Sequence, residues 1–270
     1  MLREDVVRLI KALNDADVYV IGVNTGRLYD ADQYFDAYFE RRNFGRDFGS
    51  YRVGVIAAQK LAPSAERLLL LNDSVFYSEN GLSDFVEKLL QSEADICSAT
   101  ESSEVTPHQP SFCLSFSSKC FQHAAFSRFW KWYVPSDLRP SVLLLGEIGL
   151  SRQLYRAGLS RTALVKQDEL GDVLRVRPNL AWPAKDRDIS WCLEGNVTHR
   201  AAPALLFLGL PLIKLDLFRR AVIPEDRISD FENLLPKNEI ENLRMMLRSH
   251  ADSAKKSSWL QGLGARCGLD

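Results

Sequence analysis

Four consecutive leucines, Leu68 to Leu71, follow Arg67 and end in the polar triplet Asn72-Asp73-Ser74. An unbroken apolar run of this length predicts a strand buried on both faces, as in a parallel sheet covered by helices. Val18 to Val23, Ala94 to Thr100 and Thr162 to Val165 read as further strands. Phe112 to Phe116 alternates, placing Phe112, Leu114 and Phe116 on one face. Helical spacing lies between them. Val6, Val7, Ile10 and Leu13 mark a helix over Glu4 to Asn14. Tyr34 with Tyr38, and Phe35 with Phe39, recur at i, i+4 and predict a helix over Leu28 to Arg42. Further helices are expected over Tyr51 to Leu61, after Gly81 with Asp84 and Glu87 as a capping box, over Phe121 to Val134, over Arg152 to Ala157 with Gly158 as the stop, and over Ala201 to Leu208. Asn179 to Trp191 reads as loop.

This alternation predicts an α/β fold with a mostly parallel central sheet flanked by helices, spanning residues 1–223. Residues 224–270 read as a helical extension (Leu234, Leu235, Ile240, Leu243, Met246 and Leu247) and a tail from Ser253. The order begins helix, then strand. A nucleotide-binding α/β sheet normally opens with a strand whose end touches the base. The expectation is therefore a sheet that starts one strand late.

Composition narrows the function. The 270 residues are 46% hydrophobic and 26% charged, enough for one large core. A formal net charge of -1 gives no field that points to nucleic acid. No segment approaches the roughly 20 apolar residues of a membrane span. The start, Met1 to Asp5, does not read as a secretory signal. Five cysteines form no CxxC pair and leave one odd, which reads as reduced thiols in a cytoplasmic protein. The aromatic stretch Phe121 to Val134, with Arg128 and Lys131 interspersed, reads as a core face. Its alternative is a surface for peripheral membrane association or a lipid-linked acceptor.

Ligands of open α/β sheets sit outside the carboxyl ends of strands. Asp73 falls there, between an amide and a hydroxyl, and suits a hard divalent cation carrying phosphate oxygens. The competing reading is a plain turn. In Asn43 to Tyr51 (NFGRDFGSY), Arg46 suits a diphosphate and Asp47 a ribose or base. Alternatively Asp47 or Ser50 caps the helix that follows. His108 stands at a strand entrance, where a structural role competes. Glu147, at an expected helix start, is either a favourable dipole partner or a general base. His199, on the approach to a helix, could reach a metal or diphosphate.

Together, Asn43 to Tyr51, Leu70 to Ser74, the acidic Glu101-Ser102 with His108 and Ser111 to Phe116, Gly146 to Ser151 (GEIGLS), and Asn196 to His199 with Gly209 to Arg219 resemble the rhamnan synthesis protein F family of bacterial polysaccharide glycosyltransferases. The resemblance implies the nucleotide-sugar transferase fold called GT-A. It implies a nucleotide-sugar donor, with rhamnose the suggested sugar, and a polysaccharide or lipid-linked glycan acceptor. It further implies a divalent cofactor, Mg²⁺ or Mn²⁺, held at Asp73 and His199. Glu147 would be the base. Asn43, Arg46, Asp47, Asn72, His108 and Lys214 would bind the donor. Only one carboxylate stands in the Asn72-Asp73-Ser74 motif, where that fold has an Asp-x-Asp type. A non-catalytic scaffold in a polysaccharide assembly complex is the rival from another class. A nucleotidyltransferase is weaker, for want of a glycine-rich phosphate loop.

Overall fold

A computed structural model describes residues 2–181, 188–219 and 225–245. The apolar stripe predicted near the start forms helix α1 (Glu4–Asp15), which buries Leu9, Ile10 and Leu13. Its buried Asp5 pairs with Arg3 at 2.8 Å and accepts from the Tyr77 amide at 3.1 Å.

Strand β1 (Ile21–Asn24) pairs in parallel with β2 (Ala37–Glu40), Ile21 opposite Ala37. The helix expected over Leu28 to Arg42 is therefore overturned: Ala31–Gln33 is a single 3₁₀ turn, and β2 follows. Asp36 explains the change, because its carboxylate accepts from the Val20 amide at 2.7 Å while its own amide donates to the Val20 carbonyl. The aromatic spacing serves a ring stack across this bend, with Phe35 and Tyr38 at 5.8 Å. Gly22 lies directly under the Phe35 ring, where a Cβ would come within 2.7 Å.

Helix α2 (Arg46–Leu61) starts five residues earlier than Tyr51. Gly45, at φ +85°, turns the chain into it, and its amide donates to the Asp137 carboxylate at 2.6 Å. The leucine run is strand β3 (Arg67–Leu71), followed by β4 (Val75–Tyr77) and α3 (Leu82–Gln91). Gly81, at φ +79°, rather than Asp84 opens α3; Asp84 instead pairs with Lys88 at 2.8 Å. Next come β5 (Ile96–Thr100), β6 (Cys113–Ser117), α4 (Ser118–Phe121) and α5 (Ala124–Trp132). The expected aromatic helix is thus two helices. Phe126, Phe129 and Trp130 are core, while Trp132 is exposed.

The short α6 (Arg139–Ser141) runs through a π-helical turn, Val142–Glu147, into α7 (Ile148–Arg156). Gly158, at φ +75°, stops it as expected. Strand β7 (Arg161–Val165), α8 (Gln167–Val176), α9 (Ile189–Glu194), α10 (Val197–Arg200), α11 (Ala202–Phe207), β8 (Leu212–Lys214) and α12 (Asp216–Arg219) complete the body.

The central sheet has the order β3-β6-β5-β7. Strand β6 is antiparallel to both neighbours, and only β5 with β7 is parallel. The fold is α/β, but its sheet is mixed rather than mostly parallel. The reason lies in the connection from β5 to β6. It folds back through a bridge between Ser102 and His108 and contains no helix. A parallel return needs a crossover, usually helical. Strand β4 pairs separately with β8, antiparallel.

One core lies under α1, α3 and α8, and a second under α2, α5 and α7. A third joins Phe76, Ile213 and Phe218 to Ile228, Phe231 and Leu243, so residues after 224 pack onto the body. Buried Glu239 ties them in, accepting from Ser78 Oγ at 2.6 Å and pairing with Arg8 at 2.9 Å. Cys97, Cys113, Cys120 and Cys192 are buried free thiols. Met246, Leu247, Cys267, the tail from Ser253 and part of the Asn179 to Trp191 loop lie outside the described residues. Among the described residues no helix is long and apolar enough to cross a membrane.

Candidate active site

The polar residues at the end of β3 are held in place from below. Tyr77, buried at the end of β4, donates its hydroxyl to the Asn72 carbonyl at 2.8 Å. The Asn72 side-chain oxygen accepts from both the amide and the hydroxyl of Ser74, at 3.1 and 2.6 Å. The turn reading and the site reading thus hold together: Asn72 shapes the turn and still has its amide nitrogen to spend. That nitrogen donates to Asp47 at 2.9 Å, from the first turn of α2.

Two more segments converge on Asp47. Lys214, on β8, donates to Ser74 Oγ at 3.3 Å and sits 4.2 Å from the Phe112 ring centre. Burial pushes its ammonium pKa down, and the carboxylates of Glu147 and Asp47 oppose that. Burial likewise raises the Asp47 pKa; Lys214 pulls it back, while Asp73 and Glu147 add repulsion. Glu147 accepts from the Ser111 amide at 2.6 Å. Ser111 is in turn fixed by Tyr51, whose hydroxyl donates to the Ser111 carbonyl at 2.8 Å. Burial raises the pKa of both tyrosines well above the ordinary value. They act here as neutral hydroxyl donors.

Glu147 is not at a free helix N-terminus, as its spacing suggested. It ends the π-helical turn inside a continuous helical run and makes no capping bond. One extra residue in that turn re-aims the helix face, a feature often found at functional sites. Gly146 lets the turn close against Phe48, where a Cβ would meet the ring at 3.0 Å.

The fold thus gathers Asp47, Asn72, Glu147 and Lys214 from α2, the end of β3, the π-turn and β8. Other predicted residues are placed differently. Asn43 is exposed in the loop before α2. Arg46 is exposed beside Asp47, at φ +48°, and donates to the Asp137 carbonyl at 2.7 Å. His108 is buried, with Nδ1 2.8 Å from the Thr106 carbonyl and its backbone bridged to Ser102, which makes it the staple of its loop. His199 lies in α10, its ring 3.5 Å from Thr198 Oγ1. Asp73 is exposed, and Arg3 donates to its carbonyl at 2.7 Å.

Among the described residues no three His, Cys, Asp or Glu side chains gather as a metal-holding group. A single carboxylate is too few for an all-protein cage. It does fit the mode in which Mg²⁺ keeps several waters and is held by one carboxylate plus substrate phosphates. Sequence reading placed no weight on Tyr51, Tyr77, Phe112 and Asp137 as site residues. Each acts through tertiary contact, which no local pattern announces.

No protein-family profile matches the chain, and no solved structure matches it. It is 24% identical over 152 residues to the uncharacterized protein y4gN of Sinorhizobium fredii, covering 55% of this chain and 39% of that protein. It is 26% identical over 230 residues to the virulence protein VirA of Vibrio anguillarum, covering 78% of this chain and 73% of that protein. The chain therefore spans well under half the length of y4gN and about three quarters of VirA.

Proposed function

We propose that this chain is a glycosyltransferase that uses a nucleotide-diphosphate sugar and acts on a surface polysaccharide or lipid-linked glycan. One observation carries the reading. Two carboxylates, one amide and one ammonium from four distant segments meet at the carboxyl end of β3, the place where α/β sheets bind ligands. Glu147, steadied by the Ser111 amide, takes the proton of the acceptor hydroxyl. Lys214, partly stripped of water, stabilises charge on the departing diphosphate, with Arg46 at the rim. Asp47 and Asn72 orient the nucleoside. A divalent ion, when bound, would neutralise phosphate charge, and Asp73 would be its protein ligand.

The scaffold reading keeps one observation in its favour: β1 and β3 leave an open slot beside Asp73, so the donor pocket has a gap in its wall. Calorimetry with a panel of nucleoside diphosphates and their sugars, with Mg²⁺ and then chelator, separates the two. Binding is expected and should weaken on chelation. Glu147→Gln should keep that binding within about twofold and lose on the order of 10²–10⁴-fold in transfer. A folded protein that binds no nucleotide sugar, or a Glu147→Gln variant with full transfer, overturns the reading.

A further inference from the structure

Helix α5 buries Phe126, Phe129 and Trp130, and the chain turns its apolar side chains outward as soon as that helix ends. Trp132, Val134, Leu138, Leu144 and Leu145 are between 49% and 77% exposed. Elsewhere among the described residues no stretch of that length holds more than two exposed large apolar side chains. Exposed Phe44 joins them from a second loop, which is locked to the first. The Gly45 amide donates to the Asp137 carboxylate at 2.6 Å, Arg46 donates to the Asp137 carbonyl, and Pro135 fills the space where Gly45 would carry a Cβ. Arg52, on α2, donates to the Trp130 carbonyl at 3.0 Å and fixes the end of α5. A braced backbone therefore presents the apolar side chains to solvent.

The same two loops are basic. Over residues 41–46 and 128–145 the only acid is Asp137, against Arg41, Arg42, Arg46, Arg128, Lys131 and Arg139, in a chain whose formal net charge is -1. Asp137 is already spent on the Gly45 amide. Arg128 lies one turn before Trp132 on the outer side of α5, and the Lys131 ammonium stands 5.5 Å from the Trp132 ring centre. Exposed tryptophan among basic side chains suits a lipid headgroup layer, where the indole sits at the boundary and the cations meet phosphates. It suits a protein partner less, because the cores of protein interfaces are depleted in charge and in lysine. The patch ends at the candidate site. Arg139 is near enough to Lys214 to act against its charge, and Leu145 stands two residues before Glu147.

We propose that residues 132–145, with Arg42 and Phe44 beside them, dock this chain on an anionic lipid bilayer. The apolar side chains enter the headgroup boundary, and Arg42, Arg128, Lys131 and Arg139 pair with lipid phosphates. Docked in this way, the mouth of the candidate site opens at the bilayer surface, where a lipid-linked glycan is presented. The docking stands apart from the glycosyltransferase reading, and only this last consequence rests on it.

The test is co-sedimentation of the full chain with vesicles of phosphatidylcholine alone, and of phosphatidylcholine with about one third phosphatidylglycerol. Binding is expected to the anionic vesicles only, and should fall as salt is raised. Lys131→Glu with Arg139→Glu, and separately Leu144→Ser with Leu145→Ser, should each weaken it about tenfold or more. Val176→Ser, at an exposed apolar position between Arg175 and Arg177 on the far helix α8, should leave it unchanged. All these positions are exposed, and an unchanged Tm shows that each variant is folded. Lipids brominated in their chains should quench the tryptophan emission of the native chain, and that of Trp132→Phe much less. No binding to the anionic vesicles, equal binding to both kinds, equal quenching, or binding untouched by the two double variants overturns the proposal. Dimers that Trp132→Ser dissolves, without vesicle binding, overturn it in favour of a second copy on the patch. None of these readouts uses sugar transfer, so the docking and the reading of the site fail separately.

Discussion

Strands β3 and β5 belong to one sheet and separate in their fates. β5, with the sequence ICSAT, is less apolar than the leucines of β3, yet every one of its residues is buried. In β3 only Leu70 is buried, and Leu68, Leu69 and Leu71 are half-buried. The difference is pairing. β5 has β6 on one edge and β7 on the other, and its Ser98 hydroxyl bonds the Thr100 carbonyl at 2.7 Å and Gln109, although the buried Thr100 hydroxyl has no partner among the described residues. β3 has β6 alone and the slot on its other side. Apolar sequence states how much burial a strand calls for, and its neighbours decide how much it receives.

The contrast can be broken by mutation. The largest effect is expected on the closed side. Phe126→Ala removes a fully buried ring packed on Phe116 and Trp130, and should cost about 3–5 kcal/mol in urea unfolding. Leu71→Ala, at the slot, should cost only about 1–2 kcal/mol, since part of the side chain is already exposed. Equal losses at the two positions would mean that the slot is filled in solution.

The smallest effect is confined to acid. Asp95 ties β5 to its neighbours, accepting from the Ser160 amide and hydroxyl, from Ser117 Oγ and from Lys119 at 2.9 Å. Burial works against its charge, but the Lys119 and Ser160 bonds prevail and lower its pKa from 3.8 to about 2. Its stabilisation is complete above the unfolded value near 3.8 and fades as pH falls through about 2. Asp95→Asn should therefore flatten the stability profile across that window, read from melting temperature against pH. An unchanged acid limb would mean that the closed edge of the sheet does not depend on this carboxylate.

Much of the site was legible, because its residues sit at punctuation points. Asn72-Asp73-Ser74 ends an apolar run, and Asp47 follows a glycine that opens a helix. Glu147 was legible as a residue but not as a position, since nothing local distinguishes a π-turn from a helix start. His108, at a strand entrance, already read in sequence as a residue with a competing structural role, and the structure uses it as a loop staple. Lys214 lies 140 residues from its partner Ser74, so only its family resemblance marked it. The nucleotide-sugar chemistry itself rests on that resemblance and on the gathered charges, and the calorimetric panel decides it.

By itself the sequence determined where β1, β3, β5, β6 and β7 and the helices α1, α2, α3, α5, α7 and α11 lie, because hydrophobic period and glycine stops act within a few residues. It also determined that helix α1 precedes β1, since the order of elements is a property of the chain. The tertiary structure alone decided that β6 returns antiparallel, that Leu28 to Arg42 is a turn and a strand, and that four distant segments meet at one strand end. Those outcomes depend on partners far along the chain, such as Asp36 against Val20, whose contacts offset local propensity once the backbone is folded.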